Sequence, residues 1–189
     1  MAEINEAASV ELQTKNYLVR HLSAQDLIPE YFSWLRDPDV TQHLFLSKSM
    51  ISEESAKAHV NSCDGVNQFF FGLYDLSGGN LIGTHGLSIE PEDRRCSMGV
   101  MIGDKSYWGK NVVVEVRSAI LDYAFEKRNC EKAEAGCFKS NLSSIYNFQR
   151  LGWKLEGVRR GHRLFKTERE DLLLFGLTKE EWSGRRKVS

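Results

Sequence analysis

The feature that most constrains the fold is a change of hydrophobic period near residue 103. Upstream, residues 69–74 are an aromatic-rich run, followed by runs at 81–89 and 96–102. Ser77-Gly78-Gly79-Asn80 and Glu90-Pro91-Glu92-Asp93 separate them. Short apolar runs divided by such turn residues give antiparallel strands joined by tight turns. Downstream, Val112, Val116, Ala119, Ile120, Tyr123 and Ala124 fall on one helical stripe, which predicts a helix to about Arg128.

The flanks complete the pattern. Residues 17–22 read as a strand. Residues 26–35 read as a helix (Leu27, Tyr31, Trp34, Leu35) that stops before Asp37-Pro38. Ser52 caps a second helix to about Ser62, with Glu53 and Glu54 in its first turn. After the central helix come a strand at 132–138, a short helix at 143–151 closed by Gly152, and strands at 153–165 and 171–177. The order β-α-α-β-β-β-α-β-α-β-β predicts an α/β (α+β) fold: a mixed, mostly antiparallel central sheet of about seven strands flanked by helices.

A chain of 189 residues with 41% hydrophobic and 27% charged residues holds one core without metal or disulfide staples. The expected organisation is a flexible N-terminal leader at 1–16, a single domain at 17–182 and a C-terminal tail at 183–189. Lys plus Arg is 25 against 26 for Asp plus Glu, a net charge of −1, which argues against a dedicated nucleic-acid binder. No apolar run reaches the length of a membrane span, and the acidic start lacks a signal-peptide pattern. Cys63, Cys96, Cys130 and Cys137 show no metal-binding spacing. No metal is expected, and reduced thiols point to the cytoplasm.

Two stretches carry chemistry. Ile102-Gly103-Asp104-Lys105-Ser106-Tyr107-Trp108-Gly109-Lys110-Asn111 joins a strand to the long helix. Backbone N–H groups of a helix's first turn, with about half a positive charge from its dipole, form an anion site suited to a pyrophosphate. An ordinary strand–helix connection is the competing reading. The second stretch, Asn141-Leu142-Ser143-Ser144 through Arg150-Leu151-Gly152-Trp153, also comes after a strand. Alone, its Asn reads as a helix cap.

Together these stretches resemble the GNAT superfamily of acyl-CoA-dependent N-acyltransferases, in its ribosomal-protein N-terminal acetyltransferase-like (RimJ/RimL-type) branch. That branch carries Tyr-Trp-Gly-Lys-Gly-Tyr-Ala-x-Glu-Ala, where this chain has Tyr107-Trp108-Gly109-Lys110-Asn111-Val112-Val113-Val114-Glu115-Val116. Asn141, Ser144, Arg150-Leu151-Gly152-Trp153 and Glu156-Gly157 match its second motif. Trp34-Leu35-Arg36-Asp37-Pro38-Asp39-Val40 and Ile82-Gly83 match two further elements. The resemblance implies a GNAT fold and transfer of an acetyl group from acetyl-CoA to a primary amine. It also implies CoA contacts from the backbone of Met101 and Ile102, from Trp108, Gly109, Lys110, Asn111, Val112 and Val113, and from Asn141 and Arg150. It is compatible with a homodimer.

Two departures stand out. The loop glycine of the family is Asn111 here, a residue that tolerates a left-handed backbone, and its small residue is Val113. The tyrosine that many GNAT enzymes use to protonate the leaving thiolate is Phe148, which has no proton to give. Tyr146 should face elsewhere, so Ser144 becomes the candidate acid. Candidate bases for the amine are His85, Glu90 and His43. A non-catalytic GNAT-fold binding protein is the alternative that Asn111, Val113 and Phe148 favour. The acceptor stays open between a protein N-terminus and a small amine such as an amino sugar or sugar nucleotide. Cations at Arg159, Arg160, His162, Arg163 and Lys166 suit an anionic acceptor or an acidic protein surface, or are a solvated face. Acids at Asp37, Asp39, Glu53 and Glu54 suit a polyamine instead.

Overall fold

The computed structural model describes residues 10–45 and 52–186. The first nine residues of the expected leader and the last three of the expected tail lie outside the described residues. The strands are β1 (Glu11–Gln13), β2 (Tyr17–His21), β3 (Gln68–Asp75), β4 (Leu81–Glu90), β5 (Arg95–Ile102), β6 (Lys132–Phe138), β7 (Lys154–Phe165) and β8 (Glu168–Thr178). The helices are α1 (Pro29–Arg36), α2 (Pro38–Thr41), α3 (Glu53–Ser62), α4 (Val112–Asp122), α5 (Leu142–Arg150) and α6 (Lys179–Arg186). The sheet runs β1-β2-β3-β4-β5-β6-β8-β7, with β5 and β6 parallel in a mostly antiparallel arrangement. The chain divides into two compact units, residues 1–88 with 100–119 and residues 89–99 with 120–189. Among the described residues no helix is long and apolar enough to cross a membrane.

In the first unit, Pro29 opens α1 and Asp37 ends it, because Pro38 cannot continue the helix. The Asp37 carboxylate then accepts from the Asp39 amide at 2.9 Å and starts α2. Leu27, Tyr31, Trp34 and Leu35 are all buried, in one cluster with Leu22, Val40, Val60, Leu81 and Met101. Ser52 caps α3 by accepting from the Ser55 amide at 3.1 Å. The β3–β4 turn is built on Asp75, whose carboxylate accepts from Ser77 and Gly78 amides while Gly79 adopts φ +69°.

In the second unit, β5 pairs with β6 through Arg95 with Lys132, Cys96 with Ala133 and Ser97 with Glu134. β6 pairs antiparallel with β8, and β7 with β8. α5 closes as a Schellman motif: Gly152 has φ +78°, its amide bonds Gln149 O, and the Trp153 amide bonds Phe148 O, both at 3.0 Å. α6 begins with reciprocal bonds between Thr178 and Glu181 of capping-box form, and Trp182 Nε1 anchors it to Asp122 at 2.7 Å.

The structure departs from the sequence reading in three places. Residues 11–13, assigned to a frayed leader, pair with β2 as an eighth strand, held by the Thr14–Tyr17 turn. Residues 183–186, assigned to the tail, complete α6. The long helix keeps α geometry only to Asp122 and then makes a π turn over Tyr123–Lys127. Burial keeps helical spacing through this turn, with Ile120, Leu121, Ala124 and Phe125 buried, while Tyr123, expected on the buried stripe, is only half-buried.

Gly103, the first residue after β5, sits against Trp34: a Cβ there would lie 2.0 Å from the indole. Gly103→Ala is expected to cost roughly 1–3 kcal/mol through overpacking, read as a lower urea midpoint at unchanged m. Gly99→Ala, which meets nothing within 4 Å, should leave the midpoint nearly in place.

Candidate active site

The loop between β5 and α4 is built from its own carbonyls inward. Gly103 and Asp104 amides both donate to Ile82 O, at 3.0 and 3.1 Å, which turns the chain out of the sheet. Close approach of the two strands needs Gly83, whose Cβ would lie 2.3 Å from Met101 O. Asp104 Oδ1 accepts from the Ser106 amide at 2.9 Å and caps a single 3₁₀ turn at Lys105–Tyr107. Trp108 folds back so that its Nε1 donates to Ile102 O at 2.9 Å.

Two left-handed residues then aim the chain into the helix. Gly109 has φ +77°, with open space where a Cβ would stand. Asn111 has φ +65°, the conformation for which the family's glycine is suited, and its carbonyl accepts the first helical bond from Glu115 at 3.2 Å. In an α-helix the first-turn amides have no helical acceptor, so those of Val112, Val113 and Val114 are left for another oxygen. α4 is 11 residues long, enough to carry a full terminal dipole. Amides placed this way suit an anionic group.

Distant side chains hold the loop in place. Lys105 Nζ pairs with Asp37 at 2.6 Å and Asp39 at 2.7 Å. Its hydrogen bonds to those carboxylates raise the Lys105 pKa, and Lys105 in turn lowers that of Asp37. Tyr17 OH donates to Lys110 O at 3.3 Å, and Lys110 Nζ lies 4.8 Å over the Tyr107 ring. Glu115 accepts from the Asn16 amide at 2.7 Å and from Asn16 Nδ2 at 2.9 Å. Sequence reasoning missed these tethers because no local pattern joins residues 66 to 99 positions apart. Asp37 and Asp39, read as acceptor-binding acids, are committed to Lys105 instead. Glu53 is likewise paired with Lys57 at 2.6 Å.

In the second unit, Asn141 caps α5: its Oδ1 accepts from the Ser144 amide at 3.0 Å. Ser144 is half-buried, and its hydroxyl makes no hydrogen bond among the described residues. Phe148 is buried, stacked 4.5 Å from Phe175 and tilted 5.2 Å from Trp153. Tyr146 faces away and is exposed, with the Arg150 guanidinium 5.8 Å from its ring.

The candidate bases are placed differently. His85 belongs to the first unit, on β4, where it is fully buried and neither ring nitrogen has a hydrogen-bond partner among the described residues. Burial, then the nearby Arg117 guanidinium, hold its pKa well below the usual imidazole value. Glu90 belongs to the second unit and pairs with Arg95, which also meets Glu134 at 3.0 Å and Asp93 at 3.3 Å. His43 is half-buried just after α2. The loop residues, Met101, Ile102 and His85 therefore belong to one unit, and Glu90, Asn141, Ser144 and Arg150 to the other.

The family model described as the acetyltransferase (GNAT) domain matches residues 16–154. The chain is 27% identical over 181 residues to the uncharacterized N-acetyltransferase p20 of Bacillus licheniformis, covering 92% of this chain and 98% of that protein. It is 28% identical over 117 residues to the [ribosomal protein uS5]-alanine N-acetyltransferase of Escherichia coli (strain K12), a match over 61% of this chain and 60% of that one. In fold it is similar to ribosomal-protein-S5-alanine acetyltransferase from Vibrio fischeri, with TM-score 0.77 at 21% identity, covering 92% of this chain and 99% of that chain. It is also similar to a ribosomal L7/L12 α-N-protein acetyltransferase in complex with coenzyme A, with TM-score 0.78 at 14% identity over 89% and 98% of the two chains. A family match over most of the sequence, on a sheet with this loop-to-helix junction, places the chain in the GNAT family of N-acetyltransferases.

Proposed function

We propose that this N-acetyltransferase transfers an acetyl group from acetyl-CoA to a primary amine, either a protein N-terminus or a small-molecule amine. The observation that carries the reading is the left-handed Gly109 and Asn111 feeding the first turn of α4 directly after β5. Within the 108–113 stretch, the amides of Gly109 and Asn111–Val113 would hold the pyrophosphate, those of Trp108 and Lys110 already donating to Lys105 O and Tyr107 O. Met101 and Ile102 would pair their backbone with the pantetheine arm as a strand edge, and Asn141 Nδ2 and Arg150 would add donors. The thioester supplies an activated acetyl carbon and a thiolate leaving group.

Each remaining task falls to a group of the chain. Ser144, with its hydroxyl uncommitted, protonates the departing sulfur. An amide of residues 100–102 meets the negative charge that develops on the carbonyl oxygen. His85 stays neutral in its buried position, so it can accept a proton only through a relay. Glu90 is held in an ion pair with Arg95. We therefore assign the amine proton to a water chain that passes one of these two groups.

Two of the three features that favour a non-catalytic protein lose their force. Asn111 adopts the conformation the loop needs, and Phe148 is a core aromatic. The commitment of Asp37 and Asp39 to Lys105, and of Glu53 to Lys57, weighs against a polyamine acceptor. The ribosomal-protein acetyltransferases among the relatives support a protein N-terminus. The free cysteines support a reducing compartment, the cytoplasm.

Ser144→Ala should lower kcat by about 10²- to 10⁴-fold with little change in the KM for acetyl-CoA, measured where chemistry rather than product release limits turnover. An unchanged kcat removes Ser144 from proton transfer. Asn111→Ala, which keeps a Cβ in the left-handed region but removes the side-chain amide that lets Asn tolerate it, should cost about 1–2 kcal/mol relative to Asn111→Gly and raise the acetyl-CoA KM. Asn111→Gly should retain both stability and affinity, and equal behaviour of the two variants would contradict the proposed loop geometry.

A further inference from the structure

β7 is the outer strand of the sheet, and among the described residues nothing pairs with its far edge. Its charges are unevenly used. Lys154 pairs with Glu181, Glu156 with Lys132 at 3.0 Å and Arg163 with Glu170 at 2.7 Å. Arg163 also lies 3.3 Å over the Phe138 ring. Arg159, Arg160 and His162 are exposed and make no ion pair or hydrogen bond through their side chains among the described residues.

The two arginines and His162 are presented by a built bulge. Arg159 pairs with Leu172 and Arg163 with Glu170, so Arg160, Gly161 and His162 face Asp171 alone. Gly161 takes φ +57°, its amide donates to Asp171 Oδ1 at 2.8 Å, and its carbonyl accepts from Arg169 at 2.9 Å. Bulges fixed this way re-aim side chains at a sheet edge. The other feature of β7 is apolar. Leu155, Val158 and Leu164 stand opposite Phe175, Leu173 and Arg169, hence on one face of the ribbon, and are 55%, 45% and 67% exposed. Arg159, opposite Leu172, stands on the other face.

We propose that the free edge of β7 is a docking strand for an extended polypeptide segment of a partner protein in which apolar and acidic residues alternate. The segment would add to the sheet by main-chain hydrogen bonds, its apolar side chains meeting Leu155 and Val158 and its carboxylates meeting Arg159, Arg160 and His162. Charge complementarity selects this occupant. A second copy added antiparallel about the bulge would set Arg159 and Arg160 against the same residues of its mate, an arrangement that edge strands use to block self-pairing. A nucleic acid could meet the cations but offers no ladder of N–H and C=O groups to the edge.

The test uses the full-length protein and a fluorescent peptide of four Val-Glu repeats, monitored by anisotropy. Binding should be at least about tenfold tighter than for a Val-Gln peptide and should weaken by about tenfold or more between 50 and 500 mM NaCl. Arg159→Glu with Arg160→Glu should abolish it while the circular dichroism spectrum is unchanged. The milder Arg159→Gln with Arg160→Gln should weaken it to the level of the Val-Gln peptide. Of two peptides N-methylated on alternate residues, one set on valine and one on glutamate, only one should still bind, because a strand pairs through one edge. Equal binding of the Val-Gln peptide or of both N-methylated peptides would overturn the proposal. So would displacement of the peptide by single-stranded DNA at lower concentration, or self-association of the protein that the charge reversal abolishes.

Discussion

One carbonyl, that of Ile82, decides where strand becomes site. By accepting from both Gly103 and Asp104 it ends β5 at a fixed point, with Trp34 packed where a Gly103 side chain would be. That exit sets the 3₁₀ turn capped by Asp104, the two left-handed residues, and the entry of α4 with its first-turn amides uncommitted to the helix. A loop that must present amides to an anion gains little by being flexible. Here it is held from three directions, by Asp37 and Asp39 on Lys105, by Tyr17 on Lys110 and by Asn16 on Glu115. Each exposed contact is individually weak, and their value lies in fixing one loop geometry before ligand arrives.

The elements of long period are legible in the sequence. The stripe from Val112 to Ile120, the buried face of α1, the Ser52 cap and the Gly152 stop each rest on local chemistry that neighbouring residues complete. β1 is not legible, because a three-residue strand shows no alternation worth counting and its partner β2 supplies the pairing. α6 does carry a signal, Thr178 with Glu181 three residues later, ahead of Trp182. The π turn after Asp122 has none.

At the site, the same division holds. The loop motif and the Asn141-to-Ser144 cap are readable because each is contiguous. The tethers are not, and without them Asp37 and Asp39 read as groups for an acceptor. The departures from the family pattern look different in three dimensions. Asn111 keeps a glycine's backbone conformation, and Phe148 stacks on Phe175 and packs against Trp153. Val113 keeps its branched side chain half-buried at the first turn of α4, the one departure that still bears on the anion site.

The central claim is that the amides at 109–113 form the anion cradle of this N-acetyltransferase. An amide-resolved NMR titration with acetyl-CoA and, separately, with acetyl-pantetheine, which lacks the pyrophosphate and nucleotide, addresses it directly. The account predicts that acetyl-CoA gives its largest amide shifts at residues 109–113 and that acetyl-pantetheine leaves those amides in place. Saturable acetyl-CoA binding that does not move them, or no binding at all, would contradict it.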